Sequence, residues 1–161
     1  LRPMRLSSKL ELGRSRFIRA RQTAWTDYAR LTLWMLRSWG MDSDQIIRDF
    51  CAAWGRGDVE VLMNAFTDDA VYHNIPMDPA KGKDAIRAVI EGFMKMSPGG
   101  VDFEILNQVT AGNLVLNERI DTFVVDGKKS GGPVAGVFEL DADGKIKAWR
   151  DYFDMRAFQA D

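Results

Sequence analysis

Four segments of alternating polarity close the chain, at about residues 101–110, 113–125, 133–140 and 146–154, and the turn sequences Ala111-Gly112-Asn113, Asp126-Gly127 and Asp141-Ala142-Asp143-Gly144 lie between them. Turns of this kind join neighbouring antiparallel strands. One face of the resulting sheet is apolar and needs a cover, and the residues ahead of it supply one. Asp42, Ser43 and Gln45 form a helix start, Ile46, Ile47, Phe50, Cys51 and Trp54 follow at helical spacing, and Gly55 and Gly57 end the helix. Asp58 caps a second helix with Val59, Leu62, Ala65 and Phe66 inward, broken by Asp68-Asp69. A short strand at about residues 70–75 runs into a loop marked by Pro76 and Pro79. Asp84 then precedes a third helix carrying Ile86, Val89, Ile90, Phe93 and Met94, and Pro98-Gly99-Gly100 stop it. These helices cannot cover both faces of the sheet. The predicted architecture is therefore α+β: a curved, mixed but mostly antiparallel sheet wrapped around three to four helices, with a cavity inside the cone.

Charge divides the chain near Gly40–Met41. Residues 1–40 hold nine basic side chains (Arg2, Arg5, Lys9, Arg14, Arg16, Arg19, Arg21, Arg30, Arg37) against Glu11 and Asp27, a balance of +7, whereas residues 41–161 balance at −8. The basic segment also carries Trp25, Trp34 and Trp39, with a short amphipathic helix expected over residues 28–39. Three readings of it stand open: a targeting or surface-binding arm, an extension docking through its tryptophans, or a stretch lying upstream of a start at Met41. The acidic body opposes a polyanion, so no nucleic-acid partner is expected. No apolar run approaches the roughly 20 residues of a membrane span, so no membrane partner is expected either. The single cysteine, Cys51, permits no intrachain disulfide, which makes a reducing, cytoplasmic setting the default. One histidine, His73, excludes mechanisms that need two imidazoles. No nucleophile-elbow, dinucleotide or Walker-type glycine pattern and no paired Cys/His spacing occurs, so neither a cofactor nor a metal is expected. Asp141-Ala142-Asp143-Gly144 begins like a calcium loop, but no glutamate closes it, and it reads as a hairpin turn.

Strand alternation groups the residues able to do chemistry. Tyr72 shares a side with Asn74, and His73 faces the other way as a surface or packing residue. Arg119 shares a side with Asp121 between Val115 and Phe123, and Leu114, Leu116 and Ile120 point oppositely. Trp149, Asp151 and Phe153 share a side, which sets a carboxylate between two large aromatics. Spacing alone leaves ordinary strand decoration open for each pair. Met63, Met77, Met94, Met96 and Met155 read as core filler that is also compatible with a soft pocket lining.

At these residues a likeness becomes specific. Val71-Tyr72-His73-Asn74-Ile75-Pro76, then Glu118-Arg119-Ile120-Asp121, then Trp149-Arg150-Asp151-Tyr152-Phe153-Asp154 resemble the limonene epoxide hydrolase family, in order and over about residues 42–158. The resemblance implies the cystatin-like, nuclear-transport-factor-like cone of the SnoaL-like superfamily and a homodimer. It also implies a cofactor-independent hydrolase acting on an ether bond, with a small apolar epoxide and water as its partners. Carried over by motif, Asp151 is the general base, Arg119 and Asp121 complete an Asp-Arg-Asp triad, and Tyr72 and Asn74 hold the water. A pocket of Cys51, Trp54, Ile75, Phe93, Phe123, Val134, Trp149, Phe153 and Phe158 is expected around them. Residues 1–40 have no counterpart in the family, and the loop after Pro76 and the stretch 93–100 differ more.

The chemistry implied is demanding. Water is a poor nucleophile and an unprotonated alkoxide a poor leaving group, so a base and an acid must act together. Asp151 would be ionised and Asp121 protonated, although a free Asp titrates near pH 3.9. A dry pocket and a neighbouring carboxylate both raise that value, and an arginine between the two carboxyls makes them titrate as one unit. Two other readings share the cone: an isomerase or polyketide cyclase using a single Asp beside a carbonyl, and a non-catalytic dimeric module that holds a small ligand.

Overall fold

The computed structural model describes residues 42–158. The amphipathic helix expected over residues 28–39, the tryptophans around it and the boundary at Met41 lie outside the described residues.

Helix α1, Ser43–Arg56, starts where Asp42 accepts a hydrogen bond from the Gln45 amide at 3.1 Å, and it ends at Gly57, whose φ of 66° lets its N–H turn back to the Trp54 carbonyl. Gly55 is thus an interior helical residue and not a stop. Asp58 caps α2, Val59–Asn64, in the same way through the Val61 amide. That helix is shorter than its pattern predicts. Phe66 opens strand β1, Phe66–Asn74, because Phe66 pairs with Ile146 and the Ala65 carbonyl accepts the Ile146 amide at 2.7 Å. Asp68 and Asp69 lie exposed within the strand, where its register against the neighbouring strand shifts, and they break no helix. The short strand expected at about residues 70–75 is therefore the second half of a longer one.

A two-residue strand, β2 (Ala80–Lys81), folds back on β1 and leads into helix α3, Lys83–Met96, which buries Ile86 and Ile90. Strands β3 (Asp102–Ala111), β4 (Leu114–Val125), β5 (Lys128–Leu140) and β6 (Ile146–Tyr152) follow, and a 3-10 turn at Met155–Phe158 ends the described chain. β5 begins five residues earlier than its hydrophobic run. Asp126 and Gly127 both take positive φ, 51° and 78°, so the hairpin closes in two residues and pairing restarts at Lys128. β6 ends at Tyr152, short of Phe153 and Asp154.

The sheet order is β2-β1-β6-β5-β4-β3, parallel only between β1 and β6. The fold is the mixed, mostly antiparallel α+β cone that the pattern implies. Its core is aromatic: Phe50, Trp54, Phe66, Phe138 and Trp149 pack together, and Trp149 stacks on Tyr72 at 4.0 Å between centroids. No helix among the described residues is long and apolar enough to cross a membrane.

Candidate active site

Three strands bring the candidate residues together. On β4 the buried parity is Val115, Asn117, Arg119, Asp121 and Phe123; on β6 it is Trp149 and Asp151; on β1 it is Tyr72 and Asn74. Asn74 stands opposite Asp151 in the β1–β6 register, so the base candidate and the two water-holding candidates share one side of the site. Asp121 faces them from β4, with β5 between.

Arg119, fully buried, joins the two halves. Its Nε and Nη2 donate to the two oxygens of Asp121 at 2.7 and 3.0 Å, and Nη2 also donates to Asp151 Oδ2 at 2.5 Å. The guanidinium carbon lies 4.5 Å from the Phe103 ring centroid and 5.7 Å from that of Trp149. A buried arginine between two buried carboxylates is tolerable only with such hydrogen bonding, because each ion has left water. Gly136, paired with both Asn117 and Asp151, makes the room: a Cβ there would collide with Arg119 Nη1 and with the Asn117 oxygen.

The electrostatics follow from depth. Burial, reinforced by the charges of Asp151 and Asp102 and opposed by Arg119, pushes Asp121 up to about 7. Burial also raises Asp151, against the pull of Arg119 and of the Trp149 indole, which donates to Asp151 Oδ1 at 2.6 Å. The carboxyls form a coupled pair that keeps a proton far above the ordinary carboxylate range. Arg119 stays charged: burial works against it, and Asp151 and Asp121 more than offset this. Tyr72, raised by burial first and by Asp151 second, stays a phenol, and its hydroxyl donates to Asn74 Oδ1 at 3.0 Å. That leaves the Asn74 amide protons and the Tyr72 lone pairs for a third partner.

Asp121 and Asp151 open onto a cavity of about 360 Å³. Trp54, Tyr72, Asn74, Phe93, Phe123, Phe153 and Phe158 line it, as do Met77, Met96 and Met155, three of the methionines compatible with a soft lining, and four residues outside the sequence reading: Val101, Phe103, Val125 and Ser130. The expected pocket needs correction at four positions. Ile75 is 36% exposed, because parity turns it away from Asn74. Cys51, Val134 and Trp149 are on the inner side but buried behind the wall: Cys51 packs on Asn117, Val134 pairs with Arg119, and Trp149 lies beneath Tyr72. Burial pushes the Cys51 thiol up to about 12, so it is uncharged beside the triad. His73 is half-buried, its Nε2 lying 2.9 Å from the Met77 carbonyl. Among the described residues no cluster of His, Cys, Asp or Glu is arranged to hold a metal ion.

Sequence reasoning missed Asn117, Gly136 and Phe103. Asn117 carries the same parity as Arg119 and Asp121, so alternation contained the signal; an interior strand glycine such as Gly136 marks a close approach.

Known proteins share this arrangement's frame. The family model of the SnoaL-like domain matches residues 47–149, which takes in Tyr72, Asn74, Arg119 and Asp121 and stops two residues before Asp151. Epoxide hydrolase EphG of Mycobacterium tuberculosis is 32% identical over 111 residues, covering 68% of this chain and 71% of that protein. A solved structure of an M. tuberculosis LEH-like epoxide hydrolase superposes with a TM-score of 0.62 at 30% identity, over 72% of this chain and 85% of that one. The epoxide hydrolase/cyclase-like enzyme SalBIII shares the fold with a TM-score of 0.65 at 19% identity, over 71% and 92%. With the matched domain spanning most of the described residues and the likeness reaching sequence and fold together, the chain belongs to the SnoaL-like family, in its limonene epoxide hydrolase-like branch.

Proposed function

We propose that this protein adds water to an apolar, cyclic, terpene-like epoxide in one step and releases a vicinal diol. The observation that carries this reading is Arg119 bridging Asp121 and Asp151 at the wall of a largely apolar cavity. A water beside Asp151 donates one hydrogen to that carboxylate and the other to the Tyr72 oxygen, and accepts from the Asn74 amide. Its free lone pair attacks an epoxide carbon as Asp151 takes the proton. The C–O bond that breaks leaves its electron pair on the ring oxygen, which receives the proton of Asp121. The proton gained by Asp151 must return to Asp121 before the next turnover. Arg119 holds both carboxyls at fixed separation and keeps the triad neutral with one shared proton. No residue attacks covalently, and the step calls on no cofactor. The cavity volume sits at the lower end of the roughly 300–1,000 Å³ of small-ligand pockets, which favours a compact substrate.

In this reading the enzyme is a cytoplasmic homodimer. Exposed Val109, Leu116, Val124 and Tyr152 on the outer sheet face support the dimer, and light scattering at micromolar concentration should give twice the chain mass. The decisive experiment is turnover of a panel of terpene and cycloalkene oxides in ¹⁸O-water. One label per diol, at a ring carbon and from the first turnover, supports direct water attack. Label absent from the first turnover would show a carboxylate ester intermediate, and cyclised unlabelled product would favour a cyclase. No reaction with any epoxide would leave the binding-module reading.

A further inference from the structure

Two nitrogens of Arg119 are committed to carboxylates, and the third, Nη1, donates to the side-chain oxygen of Asn117 at 3.0 Å. Asn117 is 4% exposed and is not part of the cavity wall, so it does not touch a bound substrate. Its own amide nitrogen points to Gln108 Oε1 at 3.4 Å, across the β3–β4 pair, and to Cys51 Sγ at 3.9 Å. Gln108 in turn donates through Nε2 to the carbonyl and to the carboxylate of Asp44, at 2.9 and 2.8 Å.

The polarity of this chain is fixed from both ends. Guanidinium is donor-only and ionised carboxylate acceptor-only. The amide group of Gln108 must therefore face Asp44, which leaves its oxygen toward Asn117. Asn117 must then present nitrogen to Gln108 and oxygen to Arg119. Both amide dipoles run head to tail from a buried cation to an anion in the first turn of α1. The Gln108 bond, followed by Arg48, holds Asp44 below the usual carboxylate range, so the outer end of the chain stays ionised.

We propose that Asn117, oriented by Gln108 and Asp44, is a positioning residue of the site: it occupies Arg119 Nη1 with a neutral acceptor, so that the guanidinium charge is divided between Asp121 and Asp151 alone. Gly136 supplies the space in which this contact is made. The inference rests on the hydrolase reading for its catalytic consequence, but not for its electrostatic one. A carboxylate in place of the Asn117 amide would share the arginine three ways and raise the proton affinity of the other two. The charged and titratable groups around the carboxyl pair and Asn117 are Arg119 on the same strand, Asp102 from β3, Tyr72 from β1, the Cys51 thiol from α1 and, through Gln108, Asp44 at the start of α1.

The test combines Asn117→Asp, Asn117→Leu and Gln108→Met, read by ¹³C-carboxyl NMR titration of the aspartates without substrate and by kcat and KM on an epoxide. Asn117→Asp should move the titration of the Asp121–Asp151 pair upward by about one unit, and its turnover should recover toward the wild-type rate at a correspondingly higher pH. Asn117→Leu should lower kcat by about 10–100-fold with KM little changed and no recovery at any pH. Gln108 is only half-buried, so Gln108→Met keeps the question open to measurement if the leucine variant does not fold; it should lower kcat severalfold at constant KM. An unmoved titration in Asn117→Asp, or wild-type kcat in Asn117→Leu or Gln108→Met, overturns the assignment. If the wild-type protein opens no epoxide, the hydrolase reading falls, and the substrate-free titration still decides whether Asn117 governs the carboxyl pair.

Discussion

Replacing Asp121 with Asn tests whether a buried carboxyl keeps its proton near neutrality. In the unfolded chain Asp121 releases its proton near the ordinary value of 3.8, and in the folded chain burial holds the proton until about 7. Between those two values the native state binds the extra proton, so folding stability falls as pH rises. The slope is roughly 1.36 kcal/mol per pH unit, and across a window of about three units the loss approaches 4 kcal/mol as an upper figure. Asn cannot ionise, so the variant lacks this slope. With Asp121 neutral, Asp151 has the guanidinium to itself and ionises at lower pH. Urea denaturation of both proteins from about pH 4.5 to 8.5 reads the difference directly. The variant should gain stability relative to wild type progressively through the window, while hydrolysis is nearly abolished, because an amide donates a hydrogen bond but no proton. The wild-type kcat/KM profile should fall off above about pH 7 for the same reason. Parallel stability curves would show that Asp121 is ionised in the native protein at neutral pH, and near-normal turnover in the variant would remove it as the acid.

Four further outcomes follow from the same geometry. Asp151→Asn should lower hydrolysis by roughly 10²–10⁴-fold with the fold intact; retention of more than about a tenth of the activity would dismiss Asp151 as the base. Trp149→Phe removes a donor to the ionised form of Asp151, so the acid limb of the kcat/KM profile should move up by about one unit, and an unmoved limb would show that the indole does not tune the base. Gly136→Ala should cost about 1–3 kcal/mol of stability by overpacking and lower kcat by displacing Arg119, whereas wild-type melting and turnover would mean that the strands separate without loss. A chain begun at Met41 should keep its melting temperature and turnover, and a large drop in either would make residues 1–40 part of the working protein.

Much of this site is legible because β-strands sort side chains by parity. Tyr72 with Asn74, Arg119 with Asp121, and Trp149 with Asp151 each needed only alternation to be placed on one face, and the structure puts all six on the inner face. Turn chemistry located the hairpins for the same local reason. What failed was decided elsewhere in the chain. Phe66 continues an amphipathic helical pattern, yet it is a strand residue because Ile146, eighty positions away, offers it a pairing partner. The start of β5 at Lys128 was hidden because Lys128 and Lys129 pair through backbone alone, with their side chains in solvent.

Depth is the property that alternation does not encode, and the errors in the pocket trace to it. Cys51, Val134 and Trp149 have the right parity or helical phase but lie a layer behind the cavity wall; Met77 comes from the loop after β1, Met96 is the last residue of α3 and Met155 the first of the 3-10 turn, positions where periodicity is too short to read. Asn117 escaped for a chemical reason, since a search for acids and bases passes over a neutral amide. Yet the inner parity of β4 reads Asn117, Arg119, Asp121 without interruption, and a guanidinium spreads its donors over three nitrogens, of which Asp121 and Asp151 engage only Nε and Nη2. Arg119 Nη1, buried and turned away from both carboxylates, needs an acceptor of its own. The residue two positions before it, on the same face of the same strand, is the first place to look, and there the structure has its amide oxygen.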